Sequence, residues 1–138
     1  MRLLLDTHVW AWSLLEPDRL SPSVKAALGD PEAEIWLSPI STWEMALLIE
    51  RGRIQVDRSV DEWVAEALER VPMREAQLNH AVALRSRVVT LAHNDPADRF
   101  LAATASVYDL TLVTADRRLI DGKGYRVLAN RGTEVESC

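Results

Sequence analysis

The 138-residue sequence has few of the residues that form covalent cross-links or soft metal sites, with only one cysteine, Cys138, and three histidines. A single thiol excludes an intramolecular disulfide framework and a cysteine-based zinc finger. Three histidines argue against a histidine-rich metal centre. A metal site in this chain must therefore rely on carboxylate oxygens, which favours hard cations such as Mg²⁺ or Mn²⁺.

An excess of positive charge and long apolar runs are also absent. The chain has 16 lysines and arginines against 21 aspartates and glutamates, which gives a net charge of −5. This balance argues against a polybasic mode of nucleic-acid binding, although a local basic rim around an acidic pocket stays possible. The first apolar run ends at Asp6, too early for a signal peptide or a membrane span. We therefore expect a soluble cytoplasmic protein with no membrane contact.

The length and the 48% content of hydrophobic residues are typical of one globular domain. Residues 1–130 are predicted to form it, and residues 131–138 to form a polar tail. Strands are predicted at residues 3–5, 35–37, 111–114 and 125–128, with a short extended piece at 73–76. Their alternation with helical patterns predicts an α/β fold whose parallel sheet has helices on both faces.

The helix starts are predicted from capping residues. A capping residue followed by proline opens a helix at Ser21, Ser38 and Asp95. Thr7 and Ser59 are predicted to cap two more helices, and residues 78–87 are predicted to form another.

Four acidic residues are predicted to meet at one edge of this sheet. Asp6 follows the first strand, and Asp116 follows the strand at 111–114. Glu44 and Asp98 lie in the first turns of helices that begin at the same edge, where open α/β sheets bind their ligands. Carboxylates in such proximity repel one another, and a divalent cation removes the conflict.

Each acid also has a purely structural interpretation. Asp6 and Asp116 could cap the helices that follow them. Asp98 could form a capping box with Asp95, and Glu44 could form one with Ser41. The convergence of the four acids at one edge favours a metal site over these separate explanations.

Four segments carry a family resemblance: LLLDTHVW at 3–10, SPISTWE at 38–44, DPADRFLAATA at 95–105 and LVTAD at 112–116. In this order, they resemble the four acidic blocks of PIN domains, and most closely those of the VapC-type toxins of bacterial toxin–antitoxin pairs. The resemblance extends over about residues 1–128. It implies a PIN-like three-layer α/β/α sandwich with a central parallel sheet.

The resemblance further implies a ribonuclease that depends on Mg²⁺ or Mn²⁺. Asp6, Glu44, Asp98 and Asp116 match the family's catalytic acids, and Asp6, Asp98 and Asp116 would hold the metal. Thr114 lies where the family often has a small polar residue beside the metal ligands. The implied partners are RNA, a VapB-like antitoxin that covers the groove, and a second copy of the chain in a homodimer.

Two residues near the acidic blocks have open roles. His8 replaces the serine or asparagine that many relatives have, and we expect it to pack or hydrogen-bond beside the metal site. Asp95 is predicted to be a helix cap, with an outer position around the metal as the alternative.

The basic and aromatic residues suggest further contacts. Arg99 and Arg117 are candidates for RNA phosphate contacts, against a solvated surface role. Trp36 is predicted to lie in the core. Trp10 and Trp43 could stack on a base, although packing in the core or in a dimer is favoured.

Trp12 and Trp63 are candidates for a groove that accepts an antitoxin helix. Two alternative functions also stay open: a PIN fold without activity, and a phosphoaspartyl receiver or phosphatase. The second alternative lacks two expected residues. His8 stands where a haloacid-dehalogenase-like phosphatase has its second aspartate, and Lys123 lies outside a predicted strand.

Overall fold

The computed structural model describes residues 1–91 and 93–131, so the predicted tail from 132 to Cys138 lies outside the described residues. The strands are β1 (Arg2–Leu5), β2 (Glu34–Leu37), β3 (Arg74–Glu75), β4 (Thr111–Thr114) and β5 (Arg126–Ala129). The helices are α1 (Thr7–Leu15), α2 (Pro22–Gly29), α3 (Pro39–Glu50), α4 (Val60–Arg70), α5 (His80–Ser86), α6 (Pro96–Tyr108) and α7 (Arg117–Ile120), with one 3₁₀ turn (Pro17–Arg19).

The five strands form one parallel sheet in the order β3-β2-β1-β4-β5. The central strand β1 pairs with β2 on one side and with β4 on the other, so that Leu4 is opposite both Trp36 and Leu112. Parallel neighbours require crossover connections, and these place helices over both faces. The carboxyl ends of β1, β2 and β4 consequently lie at the same edge.

Alternate residues of β1 enter two separate cores. Leu3 and Leu5 pack with residues of α1 to α4, among them Trp10 and Met45. Leu4 packs on the opposite face with α5 and α6, among them Leu101. A strand buried on both faces reads as a continuous apolar run, which explains the sequence pattern. The predicted three-layer α/β/α sandwich with a central parallel sheet is confirmed.

Several element boundaries differ from the predicted ones. Asp6, not Thr7, caps α1, because its carboxylate accepts the Val9 N–H while Thr7 is already helical. Helix α5 begins only at His80, where Asn79 provides the cap. Strand β5 begins at Arg126, one residue later than predicted.

Two tryptophans have different degrees of burial. Trp10 is 1% exposed and belongs to the core, so it is not available to stack on a base. Trp36, predicted to lie in the core, packs against the core of α5 and α6 but is not fully buried. Its ring is only partly buried, and its indole N–H donates to Glu34 at the sheet edge. Arg2 covers the ring at 5.2 Å from its centroid.

No helix within residues 1–91 and 93–131 is both long enough and apolar enough to cross a membrane. The predicted domain boundary at residue 130 stays a prediction.

Asn130 fastens the end of the sheet to the start of α2. Its side-chain oxygen accepts the Ser21 backbone N–H at 2.5 Å, and its side-chain amide donates to the Arg19 carbonyl at 3.0 Å. Ser21 is 1% exposed, so its N–H has no access to bulk water as a substitute partner. The loss of the Asn130 amide would therefore leave a buried donor unsatisfied.

We predict that Asn130→Ala lowers the free energy of unfolding by about 1–3 kcal/mol. Urea denaturation followed by circular dichroism measures the difference. Gln77→Ala is the matched control, because Gln77 is exposed and its change should stay within about 0.5 kcal/mol of wild type. Equal unfolding midpoints for Asn130→Ala and wild type would contradict the proposed fastening role.

Candidate metal centre

The four predicted acids line one open cavity of about 330 Å³ at the carboxyl edge of the sheet. Asp6 lies directly after the end of β1, and Asp116 lies two residues after the end of β4. Each of them caps the helix that follows. Glu44 and Asp98 reach the cavity from α3 and α6. The structure therefore brings together all four residues that the sequence placed at this edge.

Thr114 connects two of these acids. Its hydroxyl donates a short hydrogen bond to Asp6 Oδ2 and accepts the Asp116 backbone N–H at 3.0 Å. The other Asp6 oxygen, Oδ1, accepts the Val9 N–H at 2.8 Å. The cap interpretation and the site interpretation of Asp6 are thus compatible, because one carboxylate serves both.

Burial controls the protonation of Asp6. Removal from water raises the pKa of Asp6 to about 6, although the hydrogen bonds from Thr114 and Val9 and the charge of His8 oppose the increase. Glu44 contributes a smaller increase through charge repulsion. Asp6 is therefore held as an anion at neutral pH at an energetic cost that an added cation would reduce.

The pKa of Asp98 is raised further than that of Asp6. Burial, followed by the charges of Asp95, Asp116 and Glu44, raises the pKa of Asp98 to about 7, and Arg118 opposes the increase. The carboxyl group is only 11% exposed. Asp98 makes no capping box with Asp95, because the Asp95 N–H donates to the His93 ring instead. Asp95 itself caps α6 through the Ala97 N–H and also lines the cavity.

Thr7 holds Glu44 in the cavity. The Thr7 hydroxyl donates to Glu44 Oε1 at 2.6 Å, across 37 residues of chain. Glu44 is not the capping-box partner of Ser41, since Ser38 caps α3 and Ser41 is already within the helix. The sequence predicted Thr7 only as a helix cap, and its contact with Glu44 was not predicted. In the sequence, this contact with Glu44 could have been inferred only from the position of Thr7, directly after Asp6 at the start of α1.

Arg118 brings a positively charged side chain to the acidic cavity. Its Nη2 lies 3.3 Å from Asp116 Oδ2 and 3.9 Å from Asp98 Oδ2. Burial acts to raise the pKa of Asp116, but hydrogen bonds and charge from Arg118 outweigh it and lower the pKa overall. Arg117, the neighbouring residue and the predicted phosphate contact, is exposed and does not line the cavity.

Arg99 turns away from the cavity. Its guanidinium donates to the backbone carbonyls of Ser86 at 2.8 Å and Val89 at 3.1 Å. These bonds join the loop before α6 to the helix itself. The structure therefore does not bring Arg99 to the site, contrary to its selection as a phosphate contact.

Two histidines flank the acids. His8 lines the cavity, is exposed, and has its ring 5.9 Å from that of Trp12, which agrees with packing beside the site. His93 was not predicted. Its Nε2 lies 3.3 Å from Asp98 Oδ2, and His93, Asp95 and Asp98 offer ligand atoms within 4.8 Å of one another. The signal for His93 was its spacing, two residues before the Asp95-Pro96 helix start.

Comparison with known proteins agrees with this geometry. The family model of the PIN domain matches residues 3–124. Ribonuclease VapC22 of Mycobacterium tuberculosis is 37% identical over 118 residues, which cover 85% of this chain and 88% of that protein.

Solved structures share the fold at low sequence identity. VapBC2 from Rickettsia felis, bound to a DNA fragment from its promoter, has a TM-score of 0.69 at 14% identity, with 94% of this chain and 98% of that chain covered. DNA-bound VapBC from Salmonella typhimurium has a TM-score of 0.64 at 15% identity, with 95% and 99% covered. Because the family model and VapC22 each span most of the sequence, the chain belongs to the PIN domain family, in its VapC-type branch.

Proposed function

We propose that this chain is the toxin of a type II toxin–antitoxin pair and cleaves RNA as a metal-dependent endoribonuclease. The observation that carries the proposal is the acidic cavity, in which Asp6, Glu44, Asp98 and Asp116 converge. The name of the relative VapC22, a ribonuclease, supports RNA as the substrate.

The donor set fits a hard divalent cation. Asp6, Asp98 and Asp116 supply carboxylate oxygens, the preferred ligands of Mg²⁺ and Mn²⁺. Burial, with a smaller contribution from neighbouring carboxylates, raises the pKa values of Asp6 and Asp98, so a bound cation would stabilise their ionised forms. When bound, such a cation would polarise a phosphodiester and make water a better nucleophile.

The chain's own residues then organise the hydrolysis. Thr114 fixes Asp6, and Thr7 fixes one oxygen of Glu44 and leaves Oε2 to orient the attacking water and accept its proton. The water oxygen bonds to phosphorus as one bond from phosphorus to a ribose oxygen breaks, and the leaving ribose oxygen takes a proton from bulk water. Arg118, at the rim of the cavity, provides a cation for the substrate phosphate.

The antitoxin is proposed to occupy the neighbouring groove. A cavity beside the acids is lined by Trp12, Leu15 and Ile54, with Arg19 and Arg53 at its rim. An amphipathic helix would bury its apolar face there. Trp63 instead packs against the core behind this region, so it is not part of the groove. Co-purification that is lost in Trp12→Arg would test this surface.

The homodimer is proposed to form around Trp43. This side chain is 56% exposed, which contradicts a core position, and it borders a cavity with Ile40, Leu47, Leu78 and Phe100. Exposed aromatic and aliphatic groups of this kind are typical of interfaces between copies. Light scattering of the purified chain and of Trp43→Arg measures the oligomeric state directly.

Membership of the PIN family leaves the phosphoaspartyl receiver or phosphatase without support. The remaining alternative is a PIN fold without activity. The predictions below separate an active nuclease from such a module.

We predict that Asp98→Asn abolishes metal-dependent RNA cleavage, with a loss of at least about 100-fold, because a charged ligand becomes neutral. The assay incubates pooled cellular RNA with purified protein in Mg²⁺, Mn²⁺ or EDTA, and maps the new ends. Asp61→Asn is the matched control, since Asp61 also lies in the first turn of a helix but is exposed on α4. Normal cleavage by folded Asp98→Asn protein would contradict the proposal.

We predict that metal-free Asp98→Asn protein is more stable than wild type at pH 8. The pKa of Asp98 is raised from 3.8 to about 7, so the folded state favours the protonated acid. The free energy of unfolding therefore decreases as the pH increases through 7. The shift corresponds to at most about 4 kcal/mol. Urea denaturation in EDTA between pH 4 and pH 8 measures how the difference in free energy of unfolding between the two proteins increases with pH.

Saturating Mg²⁺ at pH 8 should reduce or reverse the difference in free energy of unfolding between Asp98→Asn and wild type. A ligand that binds the folded wild type stabilises it by mass action. A module without a metal site would show no effect of Mg²⁺ on either protein. Parallel pH profiles in EDTA would contradict the role assigned to burial of Asp98.

We predict that Arg118→Gln weakens RNA binding, whereas Arg99→Gln mainly destabilises the fold. Loss of one phosphate contact should raise KM about 10-fold at low salt and reduce the salt dependence of binding. Arg117→Gln, one residue away on the same short helix, serves as the comparison. An equal KM for Arg118→Gln and wild type would remove Arg118 from the substrate site.

A further inference from the structure

His93 lies in the loop between α5 and α6 and has no role in the proposed hydrolysis. Its side chain is 16% exposed, and its Nε2 is 3.3 Å from Asp98 Oδ2. This nitrogen is buried and has no hydrogen-bond partner among the described residues. A buried polar atom directed at a site acid requires an explanation.

The hydrogen bond at the other ring nitrogen assigns the tautomer. The Asp95 backbone N–H donates to His93 Nδ1 at 3.2 Å, so Nδ1 must present its lone pair. A neutral imidazole has one proton, which therefore resides on Nε2. The nitrogen that faces Asp98 is consequently a donor and has no lone pair for a metal ion.

Direct ligation through Nε2 would require the proton to move to Nδ1. Two N–H groups, those of Nδ1 and of Asp95, would then face each other across 3.2 Å. By distance alone, His93 could bind a metal ion together with Asp95 and Asp98. The amide of Asp95 argues against this use of the ring.

The backbone of this loop is held independently of the ring. Arg99, on α6, donates to the carbonyls of Ser86, Val89 and His93, the last at 3.5 Å. The backbone at His93 is thereby tied to the same helix that carries Asp98. Arg118 Nη2 approaches the same oxygen, Asp98 Oδ2, at 3.9 Å.

On the basis of the proposed function, we propose that His93 is a positioning residue for Asp98. A small turn of the ring would let its Nε2–H donate to Oδ2, 3.3 Å away, and would leave Oδ1 for the cation. Partners of this kind orient metal ligands, and their removal weakens metal binding about 10- to 100-fold.

The test is Mn²⁺ binding to the purified chain, followed by the electron paramagnetic resonance signal of free Mn²⁺. We expect His93→Ala to raise the Kd at least about 10-fold. His93→Gln should stay near wild type, because its amide N–H can replace the donor at Nε2. His80→Ala is the control, since His80 is exposed at the start of α5.

A nitrogen-15 spectrum of the histidine rings gives a second readout that does not depend on activity. We expect a protonated Nε2 on His93 both without and with Mg²⁺. Loss of that proton on Mg²⁺ addition, with His93→Gln as weak as His93→Ala, would show direct ligation and overturn the inference. Unchanged Mn²⁺ affinity in His93→Ala would overturn it too. Absence of Mn²⁺ binding by wild type would instead contradict the proposed function itself.

Discussion

The parallel pairing of β1 with β4 is the constraint on which the site depends. Leu5 is in register with Val113, and the Asp6 N–H continues the ladder by donating to the Val113 carbonyl at 3.1 Å. This pairing sets Asp6 beside Thr114 although 108 residues separate them. Two strands with buried apolar faces therefore determine where the first and last acids of the site meet.

The same packing makes the acidic edge costly without a cation. Burial raises the pKa of Asp6 and Asp98, and nearby carboxylates add to the effect at both positions. The chain offsets part of this cost with the hydrogen bond from Thr114 to Asp6 and with the guanidinium of Arg118 near Asp98. Clustered and buried acids of this kind reduce the stability of the fold, as is common for functional sites, and the proposed cation would relieve that cost.

Much of the fold could be predicted because local signals agreed with the tertiary structure. Proline after Ser21, Ser38 and Asp95 marked three helix starts, and each of these residues caps its helix. The errors arose where the signals were ambiguous. Asp6 and Thr7 are both good caps, and the fold selects Asp6. Trp36 packs against the core, but part of its ring is covered by the guanidinium groups of Arg2 and Arg74 and not by apolar side chains.

The sequence by itself determined the α/β layers and the edge at which four acids meet, because the alternation of strands and helices implies parallel strands whose carboxyl ends share one edge. Only the tertiary structure decided which side chains serve those acids. Arg99 and Arg118 each follow an acid closely in sequence, yet one binds loop carbonyls and the other faces the cavity. Thr7 and His93 likewise acquire their contacts from the packing of distant segments and from the path of a loop. Such contacts depend on side-chain direction, which the spacing of residues does not specify.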